Sequence, residues 1–139
     1  MRVLILLIST AAMGSCMAAP PAPEQVAALA ARDQAEVANY LNGRVPSGPP
    51  VACLSARSTN DMTIINQHAV GFRDNSSRVY INDMRGGCPG LRSQYALVTR
   101  QIGTGLCSGE IAEVVDPVSR IHISSCVFGE FRPFSRPGR

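Results

Sequence analysis

The chain has 139 residues, a formal net charge of +3, and neither lysine nor tryptophan. That length is one small domain. Its arginines are scattered singly from Arg32 to Arg139 with no basic run, whereas nucleic-acid binders gather charge on one face or stripe, so the pattern argues against a nucleic-acid partner. With three Tyr and four Phe, a core must rely on Val, Ile, Leu and covalent staples.

Met1-Arg2 is a minimal positive start, and Val3 to Ile8 opens an apolar stretch running through Met13. The stretch has the length of a secretion-signal core and is too short to span a bilayer as a helix. Residues 1–15 are therefore expected to be a signal peptide. Two processing sites compete: a small-residue site near Met17-Ala18-Ala19, and Met13-Gly14-Ser15-Cys16, which has the form of a lipobox. The second is preferred, because Cys16 is followed by the Pro-rich stretch Ala18 to Pro23, a stiff extended composition suited to a tether. Expected, then, is an exported, periplasmic protein touching a membrane only through lipid on Cys16.

Residues 16–50 read as that tether with a helix near 24–42. Val26, Leu29, Val37, Tyr40 and Leu41 share a face, Pro23 precedes the helix, and Gly43 stands where a C-cap belongs. From Val51 the pattern becomes short strands with turn signals, expected at 51–58, 62–67, 69–74, 78–83, 95–102, 110–115 and 120–128. Asp74-Asn75-Ser76-Ser77 and Asp116-Pro117-Val118-Ser119 are turn candidates. Gly86 to Gly90 and Gly103 to Gly105 read as loops. The expected fold is mainly β: a small disulfide-stapled antiparallel barrel or sandwich over 51–134, preceded by one helix, with 135–139 as a tail.

Cys53, Cys88, Cys107 and Cys126 form an even set, the mark of a disulfide framework in an exported domain. Four cysteines allow three connectivities. We expect Cys88–Cys107, joining two Gly-rich loops, and Cys53–Cys126, joining the first and last strands of a closed sheet. In the loop-entropy picture these contribute about 3 and about 4–5 kcal/mol. No C-x-x-C or C-x-x-H pair is present, which argues against zinc; no metal and no cofactor is expected.

Candidate chemistry is sparse. His68 and His122 are the only histidines, His68 reading as a turn residue and His122 as an exposed strand residue. No G-x-S-x-G surrounds a serine. Glu110, Glu113 and Asp116 do not share one strand face, so they do not make a paired-carboxylate site. The segment Gly103 to Gly109 lacks the lysine of a phosphate-binding loop. Expected instead is binding to an envelope protein or glycan. Alternatives are inhibition of an envelope hydrolase through an exposed loop carrying Arg85, Pro89, Leu91 and Arg92, and an enzyme of unrecognised type.

The ordered set Cys53, Thr63-Ile64-Ile65, Val79-Tyr80-Ile81-Asn82, Cys88-Pro89-Gly90-Leu91, Leu106-Cys107, Gly109-Glu110-Ile111 and Cys126 to Phe131 resembles a family of short exported proteobacterial proteins. That family is known only as a domain of unknown function. The resemblance covers residues 51–134, with Glu110 standing where Asp is usual. It implies export and the cysteine framework, and implies no activity or site residue.

Overall fold

The computed structural model describes residues 20–100, 103 and 105–138. The signal, both processing sites and Cys16 lie outside the described residues. The chain forms α1 (Pro23–Leu41), β1 (Val45–Pro46), β2 (Cys53–Ser55), a 3-10 turn (Ala56–Thr59), β3 (Met62–Ile64), β4 (Ala69–Arg73) and β5 (Arg78–Asp83). There follow β6 (Ala96–Thr99), β7 (Gly105–Cys107), β8 (Ile111–Val115), β9 (His122–Val127) and β10 (Phe131–Ser135).

The largest sheet runs β1-β10-β5-β4-β3, all antiparallel. A three-stranded sheet β6-β8-β9 and the ribbon β2-β7 face it. Period-two alternation explains why β4 reads as a continuous apolar run. Val70 and Phe72 enter the core shared with Leu54, Leu106, Ala112, Val114, Phe128 and Phe131, while Ala69 joins Val79, Ile81 and Phe134 on the other face. Three phenylalanines, Phe72, Phe128 and Phe131, meet with ring centroids 5.6–6.2 Å apart and supply the bulk that tryptophan would otherwise give. The β layers form a sandwich; they do not close into a barrel.

Helix α1 covers the second face. Val37, Tyr40 and Leu41 pack on Ala69, Val79, Ile81 and Phe134. The Tyr40 ring lies where a side chain at Gly71 would project. Arg44 is buried just past the helix end, and its guanidinium donates to the carbonyls of Leu41, Ser76 and Ser77 at 3.1–3.3 Å. That cation caps the negative end of the helix and ties it to the β4–β5 turn. The helix stops at Asn42, which takes the left-handed conformation (φ 47°) ahead of Gly43. The sequence does not decide whether the helix within residues 16–50 packs on the domain; in the structure its C-terminal half does, through Val37, Tyr40 and Leu41, and β1 pairs with β10.

Three strands were not expected. β10 contains Pro133, which argues against a strand with neighbours on both sides. The Ser47 N–H donates to the Pro133 carbonyl at 3.0 Å, so the Pro133 backbone groups face β1 and its missing N–H leaves the ladder to β5 intact. β1 is two residues long, and β7 hides among glycines. The stretch expected as a strand over 51–58 is a strand only at Cys53–Ser55, then turns.

The cysteine framework is present with a different pairing: Cys53–Cys107 and Cys88–Cys126, in place of Cys88–Cys107 and Cys53–Cys126. The cause is β7. Cys53 and Cys107 are register partners. The Ser108 N–H donates to the Ala52 carbonyl, so the cysteines occupy the adjoining narrow, non-hydrogen-bonded position with Cα atoms 4.0 Å apart. The loop after β5 lies along β9 through an Arg85–Val127 bridge, and this brings Cys88 to Cys126. Two disulfides mark an oxidising, exported environment. Among the described residues, no helix is long and apolar enough to cross a membrane.

Candidate functional site

Polar side chains converge along one side of α1, where the helix overhangs the β3–β4 loop. The Asn66 carboxamide oxygen accepts from the N–H groups of His68 and Ala69, each at 2.9 Å. This local turn holds the loop and presents His68 to the helix. His68 Nδ1 donates to Asp33 Oδ2 at 2.7 Å, and Asn66 Nδ2 donates to the Asp33 carbonyl at 3.2 Å. On its other side the imidazole rests against Gly87, where a Cβ would meet Nε2 at 2.9 Å. His68 is therefore more than a turn residue: it joins α1 to the sheet.

Asp33, Asn66 and His68 border two hollows, of about 470 and about 340 Å³. The larger continues to Asp83, Arg132 and Phe134 at the β5–β10 pair. Arg132 Nη2 bridges both oxygens of Asp83 at 2.9 and 2.7 Å, and its guanidinium lies 5.6 Å from the Phe134 ring centroid. Asp83 and Arg132 sit on neighbouring strands, near the register pairs Phe131–Asn82 and Arg132–Ile81. The result is a groove with an aromatic wall, two carboxylates, a guanidinium, an imidazole and the carboxamides of Gln34 and Asn66.

No family model, curated protein or solved structure matches the chain. The groove must be read from its own chemistry. An Asp–His pair is the orienting half of a general-base unit. Among the described residues, no side-chain hydroxyl or thiol is hydrogen-bonded to His68 Nε2, and no group of three potential metal ligands is found.

The other sequence candidates are placed elsewhere. His122 is exposed, as expected, and its Nε2 lies 3.0 Å from Ser125 Oγ. Glu113 faces Val98 and Ser125 across the sheet while Ala112 points into the core. Asp116 closes the β8–β9 turn: its Oδ1 accepts from the N–H groups of Val118 and Ser119. The Val118 backbone bond, first, and the Ser119 side chain hold its carboxyl below the usual carboxylate range.

The candidate contact loop needs correction. Leu91 is 1% exposed and part of the core, so it is withdrawn as a contact residue. Arg85, Pro89 and Arg92 are exposed. The loop does not protrude. The Cys88–Cys126 bond, Cys88 N–H to the Gln67 carbonyl at 2.7 Å, and Ser124 Oγ–H to the Pro89 carbonyl at 2.6 Å pin it down. Sequence reading missed Asp33, Asn66, Asp83 and Arg132. Asp33, on the helix, and Asn66, two residues before His68, were the available signals, and only the docking of α1 joins them.

Proposed function

We propose that the chain is an exported cell-envelope module, periplasmic and held to a membrane by lipid on Cys16, that acts by binding an envelope protein or glycan. The observation that carries the reading is the groove beneath α1. Its volume lies in the range of ligand sites, and its polar groups stand beside one aromatic wall. The charges are already paired, as Asp33–His68 and Asp83–Arg132, so a partner meets oriented donors and acceptors rather than a bare ion. The resemblance of residues 51–134 to an exported family of unknown function belongs to the same proposal.

The test uses tagged mature protein on detergent-solubilised envelope and on isolated cell-wall sacculi. Wild type is expected to retain a partner that Arg132→Ala and His68→Ala lose, with melting temperatures showing that both variants fold. Equal capture by folded variants sinks the reading. For the anchor, labelling with a clickable fatty acid is expected in wild type and absent in Cys16→Ala. A mature N-terminus at Ala19 or Pro20 rules the anchor out.

A second reading, inhibition of an envelope hydrolase, is favoured by the pinned loop bearing Arg85, Pro89 and Arg92, since a rigid loop loses little entropy on docking. Suppression of hydrolase activity in envelope extracts, relieved by Arg92→Glu, is its test. A third, catalysis, is favoured by the Asp33–His68 pair; an activity lost in both His68→Ala and Asp33→Asn would establish it.

A further inference from the structure

A separate surface lies at the open side of the sandwich. β3 ends the large sheet and β6 ends the small one. Between them runs a hollow of about 400 Å³ lined by Met62, Thr63, Ile64, Tyr95, Ala96 and Leu97. Met62, Ile64, Tyr95 and Leu97 are partly buried and pack directly on the core. The apolar interior therefore reaches the surface along this seam.

Ladder phase shows which backbone groups point into the open. The Arg73 N–H donates to the Asp61 carbonyl and the Ile65 N–H to the Ala69 carbonyl. Hydrogen-bonded pairs in an antiparallel ladder alternate, so Thr63 faces β4 while the N–H and C=O groups of Met62 and Ile64 face outward. On the other sheet the Phe128 N–H donates to the Glu110 carbonyl. Ala112 therefore pairs toward β9, and Ile111 and Glu113 toward β6. Val98 then bonds to β8, leaving the N–H and C=O of Leu97 and Thr99 on the free edge. An unpaired edge is a template for one more strand.

Charge specifies the occupant. Arg92 precedes the hollow and Arg100 follows β6; both are exposed, and among the described residues neither has an ion-pair partner. Asp61, just before β3, is already paired with Arg73 at 3.2 Å, and Glu110 and Glu113, which share a shallow hollow with Arg100, stand one strand in from the edge. We propose that the β6 edge binds an extended peptide with acidic flanks. The peptide adds as a strand through the main-chain groups of Leu97 and Thr99. Its alternate apolar side chains enter the hollow over Met62 and Ile64, and its carboxylates meet Arg92 and Arg100. This site is independent of the groove beneath α1.

The experiment uses the oxidised mature chain and a fluorescein-labelled peptide, Glu-Val-Thr-Val-Thr-Val-Glu, read by anisotropy. Saturable binding is expected, weakened when the terminal Glu residues become Lys and when alternate backbone nitrogens are methylated. Thr99→Pro removes one outward N–H without touching the ladder to β8, and is expected to weaken binding about tenfold, the loss of one net hydrogen bond. The double variant Arg92→Glu, Arg100→Glu is expected to bind the Lys-flanked peptide instead. His68→Ala is expected to bind as wild type, which separates this site from the groove. Melting temperatures near wild type show that the variants fold. Failure to saturate at millimolar peptide overturns the proposal, as does indifference to flank charge or to Thr99→Pro. A dimer in solution that Thr99→Pro dissolves assigns the edge to a second copy and overturns it too.

Discussion

Asn82 carries more of this fold than its residue type suggests. It is fully buried on β5; its Nδ2 donates to the Gly129 carbonyl at 2.8 Å and its Oδ1 accepts from the Gly129 N–H at 3.1 Å. A carboxamide that satisfies both backbone groups of one buried residue cannot be shortened without orphaning both. Asn82→Ala is expected to cost about 3 kcal/mol, read from urea unfolding. Gly129 is itself fixed, because a Cβ there would collide with the Asp83 carbonyl oxygen. Tyr40 is the opposite case. Its hydroxyl is shut from solvent beside the Thr63 side chain without forming a well-aligned hydrogen bond, and burial, the largest influence, raises the phenol's pKa above its ordinary value. Removing a buried hydroxyl that makes no well-aligned bond costs little, whereas removing the ring opens the contact over Gly71. Tyr40→Phe is expected to melt at or above wild type, and Tyr40→Ala to lose about 3 kcal/mol.

Elements were legible where a period or a turn residue announced them. The helix shows because its apolar positions share a face, and β5 because Arg78 to Asp83 alternates. The turn at 74–77 shows because Asn75 Oδ1 collects the N–H groups of Ser77 and Arg78. β7 and β10 were hidden because glycine and proline are strand breakers in general. Their tolerance here depends on which way a backbone group faces, and that is a property of the ladder. The β8–β9 turn gives a pH test. A carboxyl whose folded pKa is depressed contributes stability that is present at neutral pH and lost as pH falls through the folded value. Acidification below the usual carboxylate range is therefore expected to loosen residues 116–120 in wild type. Asp116→Ala, lacking the acceptor, is expected to show that loosening already at neutral pH, by amide exchange.

The pairing Cys53–Cys107 and Cys88–Cys126 has a consequence for the whole molecule. Entropy alone ranks the two bonds almost equally, about 4 kcal/mol each for loops of this size. Burial decides the order of reduction instead. Cys88 and Cys126 are 1% and 5% exposed while Cys53 faces solvent, so a phosphine titration followed by alkylation is expected to label Cys53 and Cys107 first. The groove and the seam were not legible at this scale. Asp33 and His68 are 35 residues apart, and β3 and β6 meet only once two sheets stack; no local pattern records either encounter. The order of the cysteines along the chain does more than set stability. The bonds 53–107 and 88–126 interlock, each loop holding one end of the other, where 88–107 inside 53–126 would nest. A protease entering the nested arrangement could free the segment around 88–107 with two cuts. In the interlocked one, a cut in any two of the intervals 53–88, 88–107 and 107–126 leaves every piece covalently attached. Trypsin has sites in all three, at Arg57, Arg92 and Arg120 among others. Two nicks in different intervals are therefore expected to leave the mass intact but for added water on a non-reducing spectrum, and to release fragments only after reduction: a chain that can be severed twice and still travel as one molecule.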